Sequence, residues 1–240
     1  MLTYKRCPYF IWNGVKSTDF GVFVAKFPDI VIPAERVSFV TIPGRSGSLT
    51  KTEGDCVYDD VILPIECGVR QVSDIRRASA YLRGAGTLAL PFRPGEHANG
   101  RIVNQISFEQ LVRGKENMNF TVNFRLNPFW VKDLEEVRVF NKRGEVHYLI
   151  NEGDVPSKPI LELTGTGTGT VTINGSVIEM KDMLGSATID STIEEAYSDK
   201  ETLNSFMTGD FPVLKPGSNK LLFDGSITSV KVRYSPQWRV

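Results

Sequence analysis

Few residues of this 240-residue chain have the types and spacing that catalysis requires. His97 and His147, the two histidines, lie far apart in the sequence. The run Gly165–Gly169 alternates glycine with threonine, but it lacks the lysine of a phosphate-binding loop, and a strand pattern follows it. Adjacent carboxylates such as Asp59 and Asp60 point to opposite faces of a strand, so they cannot form a two-carboxylate site alone. We therefore predict that the chain is not an enzyme and has no cofactor or metal.

The composition argues against several other classes of protein. Lys plus Arg and Asp plus Glu both number 28, so the net charge is zero, unlike that of a cationic nucleic-acid-binding protein. The longest run of apolar side chains has four residues, far fewer than the ~18 of a membrane-spanning helix, and we predict no membrane insertion. Cys7, Cys56 and Cys67 have no C-x-x-C spacing, which favours reduced thiols in a protein made in a cytoplasm.

Alternation of apolar and polar residues dominates the chain and predicts a mainly β fold. The pairs Asn13-Gly14, Asn174-Gly175 and Asp224-Gly225 predict three hairpins, because both central residues of a type I′ turn need a positive φ. A fourth hairpin is predicted between Arg101–Glu109 and Asn119–Leu126, through a longer polar loop.

One α-helix is predicted over Ser73–Gly84, with Ser73 as its N-cap and Gly84 at its end. Arg76 and Arg77 lie on the surface of this helix. They are interpreted either as a solvated face or, more specifically, as part of a partner interface.

A long polar excursion, Pro43–Asp55, separates two predicted strands and exceeds the length of a standard hairpin loop. Ordering such a segment costs conformational entropy, so we expect it to be either disordered or ordered by a partner. We predict an oligomer or partner interface here, and its candidate residues are Pro43, Gly44, Arg45, Leu49 and Lys51. A flexible surface loop is the alternative.

The composition changes near residue 130, from large aromatic residues and arginine to threonine, glycine and serine. We predict two domains, residues 1–135 and residues 136–240, of which the second is a β-sandwich or jelly roll. Its side chains Tyr197, Tyr234 and Trp238 are candidates for stacking on sugars. Alternatively, two of them belong to the core of the sandwich and Trp238 anchors the C-terminal tail.

Several segments resemble the distal tail protein of long-tailed, non-contractile phages, also called the tail-tip or baseplate hub protein. They occur in the expected order over nearly the whole chain: Phe10–Gly14, Thr41–Gly47, Ser73–Gly84, Val122–Trp130, Ile150–Ile160 and Gly209–Asn219. The last segment is the most specific. Its two prolines and two glycines favour a rigid turn, with Phe211 and Leu214 inserted into the core.

The resemblance implies a ring-forming N-terminal β domain with one α-helix and a long hairpin, followed by a galectin-like β-sandwich. It implies a structural protein of a phage or prophage that forms a hexameric ring at the virion tail tip. The ring would cap the tail tube, carry the tail-associated protein and hold receptor-binding proteins for host adsorption. DNA would pass through the pore without specific binding, which fits the zero net charge. The protein would be made in the cytoplasm of the bacterial host.

A carbohydrate-binding module that contributes to host-surface adsorption is the alternative function, and the two functions can coexist. A ring without glycan affinity would support the structural function alone. A monomer with glycan affinity would support the carbohydrate-binding module.

Overall fold

The computed structural model describes residues 9–52, 54, 56–108, 118–199 and 201–239. Within these residues the chain is mainly β, as the alternating pattern predicts, and has one α-helix, α1 (Val72–Tyr81). The chain divides into two compact units. The first extends to Val131 and includes Arg239, and the second comprises Lys132–Trp238.

The first unit contains nine strands among the described residues. They are β1 (Ile11–Trp12), β2 (Val15–Lys16), β3 (Val22–Lys26), β4 (Val37–Thr41), β5 (Ser48–Thr52), β6 (Val61–Val69), β7 (Ala85–Ala89), β8 (Glu96–Ile102) and β9 (Met118–Lys132). Seven of them form one sheet in the order β2-β1-β7-β8-β9-β6-β3. Strands β4 and β5 form a separate two-stranded sheet.

The core of the first unit forms because alternate residues of its strands face the same side of the sheet. Strand β6 buries Leu63, Ile65 and Cys67 and exposes the residues between them. Strand β9 follows the same alternation over residues 120–126. Helix α1 covers this face and contributes Tyr81 to the same core.

The predicted hairpin at Asn13-Gly14 is confirmed. Strands β1 and β2 pair across it, and Asn13 and Gly14 have φ angles of 52° and 77°, as a type I′ turn requires. The Asn13 side chain accepts a hydrogen bond of 3.0 Å from the Thr87 N–H, which joins the turn to β7. Gly86 leaves room for this contact, since a Cβ atom there would lie 1.7 Å from Asn13 Oδ1.

Helix α1 is shorter than predicted, and Ser73 is not its N-cap. Gln71 occupies that position, and the Ser73 hydroxyl, inside the helix, donates a hydrogen bond of 3.2 Å to the Gln71 side chain. Asp74 lies in the first turn, where the positive end of the helix favours a carboxylate. The helix ends at Tyr81, and Gly84, with φ of 79°, lies beyond it in the bend before β7.

The prediction of a strand over Arg101–Glu109 is wrong, because β8 ends at Ile102. Beyond it, the Val103 N–H donates to the Asn123 carbonyl of β9 at 3.1 Å. The Asn104 side chain adds two further bonds to β9: it donates to the Thr121 carbonyl at 2.8 Å and accepts from the Asn123 N–H at 2.7 Å. Strands β8 and β9 are nevertheless neighbours in the sheet. The polar loop predicted between them lies outside the described residues.

The second unit has nine further strands among its described residues. They are β10 (Glu136–Phe140), β11 (His147–Asn151), β12 (Ile160–Ile173), β13 (Ser176–Asp190), β14 (Glu195–Ser198), β15 (Glu201–Thr202), β16 (Met207–Thr208), β17 (Gly217–Tyr234) and β18 (Gln237–Trp238). The main sheet has the order β10-β17-β12-β13-β14-β15, while β11 also pairs with β17 and β16 with β13.

The turn at Asn174-Gly175 joins β12 to β13 as predicted, with φ angles of 52° and 91°. The hairpin predicted at Asp224-Gly225 is wrong, because both residues lie within the continuous strand β17. Gly225 is needed there for a close backbone approach: a Cβ atom would lie 2.9 Å from the Gly169 Cα atom of β12.

The long strands of the second unit enclose a single core. The pairing of β12 with β13 shifts register between Gly167 and Gly169, so a bulge divides β12 into two halves. Leu161 and Leu163 of one half and Val171 and Ile173 of the other belong to the same buried cluster. Both halves of β12 therefore contribute side chains to one core.

The segment Gly209–Asn219 contributes to this core in the way that the sequence predicts. Leu214 is fully buried, and Phe211 packs against the same cluster from a partly buried position. The backbone groups of Leu214 and Ser157 also exchange hydrogen bonds of 2.8 and 2.9 Å. These bonds hold Gly209–Asn219 against the loop between β11 and β12.

The described cysteines have free thiols. Cys56 is exposed, whereas Cys67 is buried and burial raises the pKa of its thiol to about 12, so it stays protonated. Cys7 lies outside the described residues. None of the helices in the described part of the chain has the length and apolar character that crossing a membrane requires.

Candidate partner-binding site

The predicted polar excursion Pro43–Asp55 supplies the turn and the second strand of a hairpin. Its residues Ser48–Thr52 form β5, which pairs antiparallel with β4 along its whole length. The expectation that this segment is disordered or needs a partner to become ordered is therefore wrong, since backbone hydrogen bonds to β4 order it within its own chain. We refer to residues 37–52 as the β4–β5 hairpin. Glu53 and Asp55 lie outside the described residues.

A tight turn forms the tip of the β4–β5 hairpin. The Arg45 N–H donates a hydrogen bond of 3.2 Å to the Ile42 carbonyl, which closes a four-residue turn around Pro43 and Gly44. Gly44 has φ of 80°, and a proline followed by such a residue is typical of a type II turn. Gly47, with φ of 82°, makes a second bend before β5.

The base of the hairpin is held by the segment that precedes β6. Arg36 Nε lies 2.9 Å from Asp59 Oδ1, in an ion pair about half exposed to solvent. The Arg36 N–H donates to the Val57 carbonyl at 2.9 Å, and the Asp59 N–H donates to the Ala34 carbonyl at 3.0 Å. These backbone bonds fasten the base of the hairpin to the segment before β6.

The hairpin exposes apolar side chains on both faces. Phe39 is 67% exposed on one face, and Val40 and Leu49 lie opposite each other on the second face, each 46% exposed. The core cluster found among the described residues of the first unit includes none of the three. Because isolated two-stranded hairpins are marginally stable in water and apolar patches commonly mark interfaces, this hairpin is suited to binding an apolar surface.

The five interface residues predicted in this segment are all exposed: Pro43, Gly44, Arg45, Leu49 and Lys51. The hairpin register places Lys51 and Leu49 on the same face, together with Val40. This face therefore combines an apolar pair with a positive charge. The sequence interpretation does not single out Phe39, Val40 and Ile42, which lie just before the polar excursion; their apolar character beside it is the available signal.

A second apolar surface of the first unit is a groove beside the connection between β3 and β4. It has a cavity volume of about 30 Å³, and its apolar lining includes Ile30, Val31, Val61, Leu90 and Trp130. Ile30 is largely exposed. On its rim, the Arg93 guanidinium lies 4.6 Å from the centre of the Trp130 ring and forms an ion pair of 3.1 Å with Glu96. The groove therefore presents an apolar lining at the surface of the first unit.

The two arginines predicted on the helix have different surroundings. Arg77 donates a hydrogen bond of 2.6 Å to the Asp19 carbonyl and lies 3.6 Å from Asp74 Oδ1, so it fastens the 3₁₀ turn Ser17–Phe20 to α1. Its role is structural within the chain. Arg76 is exposed on the helix surface.

The three aromatic residues proposed for sugar contact also differ. Tyr234 is buried and its hydroxyl donates a hydrogen bond of 2.8 Å to the Ile150 carbonyl, so it does not present a ring for stacking and that assignment is corrected. Burial raises its pKa. Tyr197 and Trp238 are half-buried. Tyr148, which the sequence interpretation did not select, is 60% exposed on β11.

The structure places the His147 ring beside the rings of Phe140 and Phe223. The His147 ring stacks on Phe223 with centroids 5.6 Å apart, and its Nε2 lies 2.7 Å from the Lys142 carbonyl. The described ranges contain no group of three or more His, Cys, Asp or Glu residues that could hold a metal ion.

Comparisons with known proteins identify a structural relative. No protein-family model matches the chain, and no curated protein matches it either. Among solved structures, the chain is similar to the Dit protein of SPP1, which is described as a paradigm of the hub adsorption apparatus in phages that infect Gram-positive bacteria. The TM-score is 0.76 at 14% identity, over 95% of this chain and 98% of the other. The resemblance to phage distal tail proteins is thus confirmed at the level of the fold.

Proposed function

We propose that the chain is a structural virion protein, the distal tail hub of a phage or prophage. In this role it forms a hexameric ring that joins the tail tube to the tail-associated protein and to the host-adsorption apparatus. The observation that carries the proposal is the β4–β5 hairpin, whose exposed apolar residues are available to a neighbouring subunit. The shared fold with a phage hub protein over 95% of the chain supports the same role.

The ring is proposed to close through a head-to-tail contact made by the first unit. The hairpin of one subunit packs its Val40–Leu49 face against the apolar surface beside Ile30 and Trp130 of the next subunit. A contact between two different surfaces repeats around a ring when the rotation closes. Each such interface should bury more than about 1,000 Å².

The proposed partners follow from this position at the tail tip. The ring contacts the tail tube protein on one side and the tail-associated protein on the other, and it holds receptor-binding proteins at its flank. The galectin-like β-sandwich is assigned to the second unit. DNA passes through the pore without specific binding, in agreement with the zero net charge of the chain. The role is not enzymatic.

Immunogold electron microscopy tests the proposed location. Gold-labelled antibodies raised against the purified chain should bind the tail tip of particles released by the producing strain. Two results would contradict the proposal. One is labelling of the capsid. The other is that the tips of intact tails remain unlabelled although the antibody recognises the denatured chain in the same particles. Antibodies against the tail tube protein serve as the control, because they should label the tail shaft.

A further inference from the structure

Two arginine side chains lie side by side on the solvent face of the sheet in the first unit. Strands β8 and β9 are neighbours, and a Cβ atom at Gly100 would clash with the Arg125 carbonyl oxygen. The Val103 N–H donates to the Asn123 carbonyl at 3.1 Å. These contacts define a register in which Arg101 of β8 lies opposite Arg125 of β9, and both side chains are exposed. At such opposite positions the Cβ atoms lie about 5 Å apart, so like charges repel each other.

The two arginines line an open basin with a volume of about 440 Å³. Its polar lining consists of Asp60, Asn99, Arg101, Arg125 and Asn127. Small residues of β7, Ala85 and Gly86, complete it. Ala85 lies directly opposite Arg101, and its short side chain leaves the guanidinium uncovered. We refer to this site as the arginine basin.

One carboxylate serves the two guanidinium groups of the basin. Asp60 Oδ2 accepts a hydrogen bond of 2.7 Å from Arg125 Nε, and the Arg125 side chain remains 60% exposed. The neighbouring Asp59 pairs instead with Arg36. No carboxylate in the described part of the chain forms an ion pair with Arg101. Two guanidinium groups and one carboxylate leave an excess of one positive charge, which a further carboxylate would balance.

We propose that the arginine basin binds an acidic side chain in an extended segment of a partner protein. A carboxylate has two acceptor oxygens, which match the paired N–H donors of a guanidinium group. The Asn99 and Asn127 amides both donate and accept, so they complement the peptide groups that flank such an acid. Ile62 lies opposite Arg125 and is 49% exposed, so it offers an apolar contact beside the charges. The basin lies outside the β4–β5 hairpin, and the proposal does not depend on ring formation.

The charge pattern favours an acidic protein segment over a nucleic acid. Nucleic-acid backbones are bound by several cationic side chains, one for each phosphate contacted. The basin has an excess of only one positive charge, and Asp60 within it would repel the neighbouring phosphates.

The shape of the basin also argues against a small free anion. Sites for small molecules bury most of the ligand surface, whereas all five polar residues that line this basin are exposed. A peptide gains contacts with Ile62 and with the two amides that a small anion does not reach.

Fluorescence anisotropy with a labelled peptide of six glutamates, added to the full-length protein at low ionic strength, tests the proposal. We expect saturable binding that weakens as salt is added, and no binding of a matched peptide of six glutamines. Arg101→Gln and Arg125→Gln should each weaken the binding about tenfold, which is the loss of one charged contact. Asp60→Asn should instead strengthen it severalfold, because the substitution removes the carboxylate that competes for Arg125.

Arg76→Gln is the matched control, since Arg76 is an exposed arginine of α1 outside the basin. It should leave the affinity unchanged. The proposal is overturned if the glutamate peptide does not bind, if the glutamine peptide binds equally well, or if Arg76→Gln weakens binding as much as Arg101→Gln. Displacement of the peptide by free glutarate or by a single-stranded oligonucleotide at the same concentration of negative charges would also overturn it.

Thermal unfolding of each variant distinguishes a lost contact from a lost fold. If Arg101→Gln does not fold, Asp60→Asn still decides the question. Weaker binding by Asp60→Asn would contradict the competition between its carboxylate and that of the partner.

Discussion

Val40 and Leu49 lie directly opposite each other on the β4–β5 hairpin, and each is 46% exposed. A cross-strand apolar pair stabilises a sheet when further apolar surface covers it. On this face the next pair along the hairpin is Ser38 and Lys51, which supplies little cover. Contact with another molecule therefore explains the pair better than the stability of the hairpin does.

The first prediction concerns this pair. The double substitution Val40→Ser and Leu49→Ser should weaken assembly strongly while changing the free energy of unfolding of the monomer by only about 0.5 kcal/mol, because both residues are surface positions. Sedimentation velocity measures the assembly and urea denaturation measures the stability. Val177→Ser, at an exposed valine of β13, is the control and should assemble like the wild type. Normal assembly of the double variant would remove the hairpin from the interface.

The second prediction concerns Tyr81, which joins α1 to the first hairpin. Its hydroxyl accepts a hydrogen bond of 3.0 Å from the Trp12 N–H and donates one of 2.8 Å to the Val15 carbonyl. Burial raises the pKa of Tyr81, so the hydroxyl stays protonated and keeps donating. Tyr81→Phe leaves both backbone groups without this partner and should lower the free energy of unfolding by about 1–3 kcal/mol. Tyr148→Phe, at an exposed hydroxyl, should change the free energy of unfolding far less. Equal effects of the two substitutions would contradict the role of the Tyr81 hydroxyl in joining α1 to the first hairpin.

The third prediction concerns pH and the pair Lys132–Glu136. Lys132 Nζ lies 2.6 Å from Glu136 Oε1, and this hydrogen bond lowers the pKa of Glu136 and raises the pKa of Lys132. The stabilisation should be present above the usual pKa of glutamate and disappear as the pH falls through the lowered folded-state pKa. On the alkaline side it should be complete below the usual pKa of lysine and disappear as the pH rises through the raised folded-state pKa of Lys132.

Lys132→Met tests this pH dependence. At neutral pH the variant should lose up to about 1 kcal/mol of unfolding free energy, as expected for a partly exposed ion pair. At about pH 2, where carboxylates are protonated, the difference from the wild type should vanish. A difference that is the same at both pH values would mean that packing of the lysine stem, and not the ion pair, stabilises the fold.

The fourth prediction concerns the second unit as a domain. Its core cluster draws all of its residues from positions 140–234, so residues 132–238 should fold alone. The isolated fragment should give a β-type circular dichroism spectrum and a cooperative thermal transition. A spectrum of an unfolded chain, or unfolding without a cooperative transition, would show that the domain needs the rest of the protein.

Local turn chemistry made part of the fold predictable from the sequence. Asn13-Gly14 and Asn174-Gly175 form the predicted turns because both residues in each pair adopt positive φ. Asp224-Gly225 carries a similar turn signal, but it lies where β17 passes close to Gly169 of β12. The glycine is required by a neighbouring strand that is distant in sequence, which a local pattern does not show.

The candidate sites were predictable to different degrees. Pro43 and Gly44 carried a local signal for a turn, but the polar composition of Ser48–Thr52 concealed a strand whose partner is β4. The arginine basin depends on the registers of β7, β8 and β9, and the pairing of β8 with β9 is a long-range property. Neither alternation nor residue type identifies such a basin before the pairing of the strands is known.

Static light scattering of the purified full-length chain tests the central claim, ring formation, most directly. The proposal predicts a mass that rises with concentration to about 161 kDa, which is six chains of 26.8 kDa. The hexameric hub would be contradicted by a mass of 26.8 kDa at every concentration. This result must hold both for the chain alone and after addition of the tail tube protein of the same phage.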